Sequence, residues 1–421
     1  AHLVLQSVLD GFGGLGGLPA DLSELFRIPY QNDGARIHTN SWGSIRGDGS
    51  YNTNSYEVDD FVWTHRDCVI CFSAGNEGED RDANGVIDAG SITPPGTAKN
   101  CITIGASEND RPAFSGTYRE WFGFRGEPIA SDRLADNPEG MVAFSSRGPT
   151  ADGRVKPDLV APGSFILSAR SRDTRDDGWA PSQDPAYFYV GGTSMATPLV
   201  AGCVALVRQF LASRRGLTQP SAALVKAVLV NGARPLAGQY VPSETGGTPN
   251  HASGFGLVDM AATLAEDLDV HDEATPLDAG DDHGLTVAVS AGASLKVTLV
   301  WSDPPGATLQ NDLDLIVRSS SGEERHGNMP PGAGGFDRRN NVEQVEWEGL
   351  PQGPVTITVR AHRIPLHPQS YALVIRRSTT EPELPAVMVN GPEVLGQIDP
   401  AGEEDLYRLE ISVAARYTIE T

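Results

Sequence analysis

Ser194 stands in "GGTSMATPLVAG", residues 191–202, where a nucleophile would stand. Gly191, Gly192 and Thr193 lead into it. An apolar run follows, with Met195, Ala196, Leu199, Val200, Ala201, Val204 and Val207. The run predicts a helix that begins at Ser194. Unpaired N–H groups and the positive dipole end favour developing negative charge at such a start. The Ser194 backbone N–H can therefore help hold an oxyanion. Two glycines leave room for a substrate backbone. Pro198 falls in the first turn, where a missing N–H costs little. A bare hydroxyl is a weak nucleophile and needs a base. A lone Gly-Thr-Ser is also what an ordinary helix cap looks like, so other groups must decide.

Two loops offer such groups. "FSAGNEG" (72–78) follows an apolar run, and the Asn76 side chain can donate to an oxyanion. "HTNSWGS" (38–44) ends another run. There Ser41, Trp42 and Gly43 can pair with an extended peptide and wall a side-chain pocket.

Acidic spacing points to a cation. In "DRDANGVIDAGS" (80–91), Asp80, Asp82, Asn84 and Asp88 occupy the first, third, fifth and ninth places of an EF-hand-type loop. Gly85 sits at the sharp turn and Val86 would offer its carbonyl. Ser91 replaces the closing glutamate, and the flanks read as loops. The spacing predicts structural Ca²⁺ without a true EF-hand. A second candidate is Asp303 with Asp312 and Asp314, the latter two on one side of a strand. Like charges that close favour a cation or a raised pKa.

The elements that must carry these groups alternate. Residues 3–8, 36–42, 69–74 and 101–106 read as strands; 21–34 and 55–67 have helical spacing. Pro29 should bend or shorten the first helix. Such alternation predicts an α/β fold, a parallel sheet with helices on both faces. Past residue 265 the texture turns β-rich, with Gly, Pro and Asn turns, which predicts an antiparallel β-sandwich or jelly roll over 270–378. A linker is expected at 379–385. The start of a further β domain is expected at 386–421.

Bulk properties narrow the classes. The chain has 421 residues, enough for more than one domain. Its net charge of -23 repels phosphate backbones and argues against a nucleic-acid partner. No run of about 18 apolar residues stands out, so no membrane span is expected. The chain opens inside a strand-like run with no leader, which suggests that earlier residues of the domain are missing. Four cysteines are too few for a disulfide scaffold. Cys68 and Cys71 read as buried thiols. A Cys71–Cys101 bridge stays open if their strands are neighbours.

Taken in order, "NSWG", "SAGNEG", "AFSSRGPTADGRVKPDLVAPG" and "GGTSMATPLVAG" resemble the subtilisin-like serine proteases, the subtilases. The resemblance covers residues 1 to about 265. "LVWSDPP" and "NDLDLIV" further resemble alkaline subtilases with a C-terminal jelly roll. Residues 386–421 resemble the opening of a pre-peptidase C-terminal domain. The resemblance implies a secreted serine endopeptidase acting on polypeptides. It makes Ser194 the nucleophile and Asn76 the oxyanion donor. Ser41, Trp42, Gly43, Ser73, Ala74, Gly75, Gly192 and Thr193 would bind substrate, and the β domain would carry calcium.

The family's HGTHVAG histidine motif and D[ST]G aspartate strand are absent. His2 lies on what resembles a later strand, His38 precedes the substrate strand, and His65 ends a helix. His251 sits in a glycine-rich loop, and the remaining histidines fall in or beside the β-rich region. The base is therefore expected upstream of this sequence, on a segment that could remain bound as a partner. The 421 residues alone are expected to be inactive. Two rivals remain. An α/β-hydrolase would use Ser194, Asp259 and His271, but Ala196 replaces its final glycine. A non-catalytic calcium-binding scaffold for adhesion would need neither Ser194 nor Asn76.

Overall fold

The computed structural model describes residues 2–378 except 12–13, 45–46, 175, 237–244, 274 and 367. It also describes two short strands further on. The expected linker at 379–385 lies outside the described residues, as does most of 386–421.

The first unit is built from α1 (Ser23–Asn32), β1 (Ile37–Asn40), α2 (Thr53–Thr64), β2 (Val69–Ser73), β3 (Ile102–Ser107) and β4 (Leu159–Pro162). The four strands form one parallel sheet in the order β1-β2-β3-β4. Every residue of β2 and β3 is buried. That is why these strands read as continuous apolar runs: both faces are covered. Pro29 is accommodated near the end of α1, where its carbonyl accepts from the N–H of Asp33 and of Ala35.

Three short strands follow, β5 (Ile166–Ala169), β6 (Ala180–Pro181) and β7 (Tyr187–Val190), in a small antiparallel sheet. The chain then enters α3 (Thr193–Arg215), which packs across all four parallel strands. At 23 residues it is long and apolar enough to cross a membrane, contrary to the sequence expectation. Its buried Ala196, Val200, Val204, Val207 and Leu211 make it a core helix instead.

The strand expected at 3–8 does not form. Leu3 and Leu5 are 92% and 94% exposed. The segment meets the fold through Gln6, which donates to Leu25 O and lies 2.9 Å from His38 Nε2. Without a backbone ladder to a neighbour, an apolar run is no strand. The four cysteines are free. Register sets Ile102, not Cys101, opposite Cys71, and burial pushes the Cys71 and Cys101 thiols up.

All eleven residues of α4 (Ala222–Gly232) are buried. Ser221 caps it, its Oγ accepting from Leu224 N at 2.9 Å. After α5 (Met260–Thr263) come β8 (Leu268–His271), β9 (Asp282–Val289), β10 (Ala293–Val300), β11 (Asp312–Arg318), β12 (Glu324–His326), β13 (Val342–Leu350), β14 (Gly353–Arg363) and β15 (Ala372–Ser378). They form two antiparallel sheets, β13-β10-β15-β8 and β12-β11-β14-β9. Further on, β16 (Ala386–Met388) and β17 (Arg408–Glu410) pair in parallel.

Period-two alternation explains how the sandwich attaches. On β10, Leu295, Val297 and Leu299 enter the core between the two sheets. Lys296 and Thr298 turn the other way, to Ala233 O and the Asn231 side chain at the end of α4. On β15, Leu373 and Ile375 join the sandwich core, while Ala372 and Val374 join the core of the first unit. The helix α4 is thus the shared layer.

The structure corrects the second cation site. Asp303 forms an ion pair with Lys99, both fully buried. Asp312 and Asp314 pair with Arg338. Each carboxylate already faces a fixed cation, so the three do not assemble around a metal.

Candidate active site

The turn before α3 sets the site. Gly192 adopts φ +141°, a conformation that side-chain-bearing residues rarely take. Its N–H donates to Gly163 O at 2.7 Å, which anchors the turn to the end of β4. Thr193 then starts the helix. Its N–H and its hydroxyl both donate to Asn76 Oδ1, at 2.9 and 3.0 Å. Asn76 is delivered by the loop after β2. With its oxygen held twice, its Nδ2 turns toward Gly192. A Cβ built on Gly192 would lie 3.4 Å from Asn76 Nδ2 and 3.6 Å from Ser194 N. The bare Gly192 Cα thus borders a space flanked by two N–H donors. Neither donates to another group among the described residues.

Ser194 is half-buried. Its Oγ donates to Ser41 O at 3.3 Å, and Ser41 Oγ donates to Ser194 O at 2.8 Å. The segment after β1 is thereby tied to the head of α3. Trp42 packs edge-on against Phe72 of β2, ring centroids 5.2 Å apart. Ser44 N donates to Pro94 O at 2.7 Å. Ser73, Ala74 and Gly75 lead from β2 to Asn76. Their backbone is braced by Thr93 N to Ala74 O and Ser146 N to Gly75 O, each 2.9 Å. The sequence-predicted residues of segments 41–43, 73–76 and 192–194 are therefore brought into one constellation.

No histidine or carboxylate hydrogen-bonds Ser194 among the described residues. His38 lies beside Gln6 and edge-on to Phe26, and burial pushes its imidazole down to about 4. His65 stacks on Phe61. Asp259 caps α5, accepting from Ala261 N and Ala262 N, while His271 belongs to β8. The hydrolase-type triad Ser194, Asp259 and His271 is not assembled.

Sequence reasoning missed three supports. Ser146 Oγ accepts from Glu77 N at 3.1 Å and so helps fix the asparagine loop. It lies in the noted "AFSSRG", but nothing local to that motif names its target. Gly163 anchors Gly192. Trp179 lies directly over Gly191, where a Cβ would fall 2.0 Å from its ring. No spacing rule links positions 179 and 191.

The loop 80–91 is wrapped around its own backbone. Asp80 accepts from Asn84 N and Gly85 N, Asp82 from Asn84 N, and Asn84 Oδ1 from Val86 N. Asp88 Oδ2 accepts from Arg81 N. Its donor set is all oxygen, which suits a hard cation. Among the described residues, no three His, Cys, Asp or Glu side chains converge closely.

Known proteins share this sequence pattern. A profile of the subtilase family matches residues 12–256. The serine protease/ABC transporter B family protein tagD of Dictyostelium discoideum is 27% identical over 86% of this chain and 26% of its own. Serine protease AprX of Bacillus subtilis is 35% identical over 34% of this chain and 26% of its own. The psychrophilic subtilisin-like protease Apa1 of Pseudoalteromonas sp. AS-11 aligns with 61% of this chain and 76% of its own, at 14% identity and TM-score 0.38. The chain spans about a quarter of the length of the Dictyostelium discoideum relatives it matches. The family profile covers more than half of the residues, and the chain belongs to the subtilase family.

Proposed function

We propose that this chain carries the nucleophile and the oxyanion donors of a serine endopeptidase acting on polypeptides. One observation carries the reading: Thr193 pins Asn76 Oδ1, which leaves Asn76 Nδ2 and Ser194 N as unspent donors beside the Ser194 hydroxyl. In this reading Ser194 Oγ attacks the scissile carbonyl. The carbonyl oxygen becomes an oxyanion and accepts from both N–H groups. Collapse expels the amine and leaves an acyl-enzyme, which water then hydrolyses. Segments 41–43 and 73–75 hold the acyl side of the substrate as an added strand. The proton acceptor comes from outside the 421 residues, so the chain alone turns over little.

A fluorophosphonate probe tests this. In a preparation that cleaves casein, the adduct is expected on Ser194 by peptide mass spectrometry. Cleavage with no adduct there sinks the proposal and favours the inert-scaffold alternative for this chain. Removing one oxyanion donor makes a graded test. Asn76→Ala is expected to lower kcat by about 10²–10³-fold with KM little changed, the loss known for the equivalent donor of subtilisin. Steady-state kinetics on a peptide anilide would read it.

We also propose that Asp80, Asp82, Asn84, Asp88 and the Val86 carbonyl hold a structural Ca²⁺. Secretion belongs to the same proposal, since millimolar calcium is found mainly outside cells. At about 100-fold excess over Kd, calcium is expected to raise Tm by roughly 3–5 °C. Asp82→Ala should remove that shift. Melting curves indifferent to calcium in both proteins would rule the site out.

A further inference from the structure

Between the first unit and the sandwich lies an open cleft of about 850 Å³, away from the Ser194 turn. One wall comes from the 80–91 loop and residues 147–155 and 249–252. The other comes from residues 328–340, the connection from β12 to β13. In a chain of net charge -23, its lining holds three arginines, Arg147, Arg338 and Arg339, against one aspartate, Asp337. Arg338 is already paired with Asp312 and Asp314. The one carboxylate in the lining, Asp337, is fully engaged: it accepts from the Asn328 and Asn340 side-chain amides and from the N–H groups of Arg339 and Asn340.

Arg339 has no such partner. Its guanidinium makes no hydrogen bond or ion pair among the described residues. The side chain crosses from the sandwich and lies against Gly153 of the first unit. A Cβ there would meet Arg339 Nη1 at 3.0 Å and Cζ at 3.3 Å. His251 is exposed on the same wall, and its ring makes no hydrogen bond among the described residues. Partial desolvation of the ring against the cleft wall, then the charge of Arg339, holds its imidazole below the usual range. Beside the Arg339 guanidinium and the His251 ring, the apolar side chains of Val86, Met329 and Phe336 line the cleft.

We propose that this cleft binds an acidic peptide segment, whose carboxylate is taken by Arg339 and His251 and whose apolar side chains rest on Val86, Met329 and Phe336. A small inorganic anion would use the Arg339 guanidinium and the His251 N–H and leave the apolar walls wet. An apolar peptide would leave Arg339 unpaired. An acidic peptide with apolar residues satisfies both. The net charge of -23 works against such a ligand in general, so a lining rich in arginine is a favourable place for it.

The proposal does not depend on the peptidase reading, and its test removes catalysis. In Ser194→Ala protein, fluorescence anisotropy would follow a fluorescein-labelled peptide of alternating glutamate and leucine. Saturable binding is expected. Arg339→Glu should weaken it by about 10–100-fold, as loss of a charge-assisted hydrogen bond does. Met329→Glu, on the same wall but leaving Arg339 intact, should weaken it as well. Unchanged melting temperatures of both variants would show that they fold. Equal binding by the variants, equal binding of a glutamine–leucine peptide, or full displacement by millimolar phosphate would overturn the assignment.

Discussion

Ser194→Ala is expected to lower kcat by about 10⁶-fold in a preparation that cleaves peptides, the scale reported for loss of the subtilisin nucleophile. The size follows from the division of labour at the α3 turn. In the proposed reaction Ser194 Oγ forms the acyl bond. The flanking donors would only steady the charge that its attack creates. Without the hydroxyl, Asn76 Nδ2 and Ser194 N have no covalent intermediate to stabilise. The effects of Ser194→Ala and Asn76→Ala should therefore not add. The double variant is expected to turn over no more slowly than Ser194→Ala by more than a few-fold, read from progress curves at high enzyme concentration. A further 10²–10³-fold drop in the double variant would mean that Asn76 steadies the oxyanion of direct water attack as strongly as that of the serine's attack.

Asp303→Ala is expected to destabilise the protein by about 3–5 kcal/mol. Lys99 and Asp303 form a fully buried pair between the first unit and the sandwich. Lys99 Nζ also donates to Pro304 O and Thr308 O, while Asp303 accepts from Gln310 N and Asn311 N. Removing the carboxylate leaves a buried ammonium without the counter-charge it pairs with. Replacing both partners, with Lys99→Met and Asp303→Asn, removes the charge problem. Asparagine also retains an oxygen for one backbone N–H. The double variant should recover most of the loss. Urea denaturation would measure both. A single variant within 1 kcal/mol of the parent would show that the pair is solvated in solution.

Much of the fold was legible because local pattern and burial agree. The runs at 69–74 and 101–106 became β2 and β3 since both their faces are covered. The apolar run after Ser194 became α3, and "SAGNEG" brought Asn76 to its head. What failed depends on distant partners. The run at 3–8 reads as a strand by composition, but composition cannot supply a ladder. Asp303 looks like a companion of Asp312 and Asp314 until Lys99, 204 positions away, claims it. The pinning of Asn76 by Thr193 spans 117 positions. Motif order places both residues near the turn, but which atom of the amide is left over depends on the fold that brings Thr193 to it.

The total burial of α4 bears on how this protein can be taken apart. Its sequence, "AALVKAVLVNG", is apolar almost all round because one side meets α3 and the parallel sheet and the other meets β10 and β15. Cutting the gene after residue 265 to isolate the first unit would strip the second side bare. The product would be a sticky surface seeking any replacement cover, and insoluble expression is the expected outcome. Engineers wishing to graft this head onto another body must carry the sandwich with it, or first repaint α4 with polar residues.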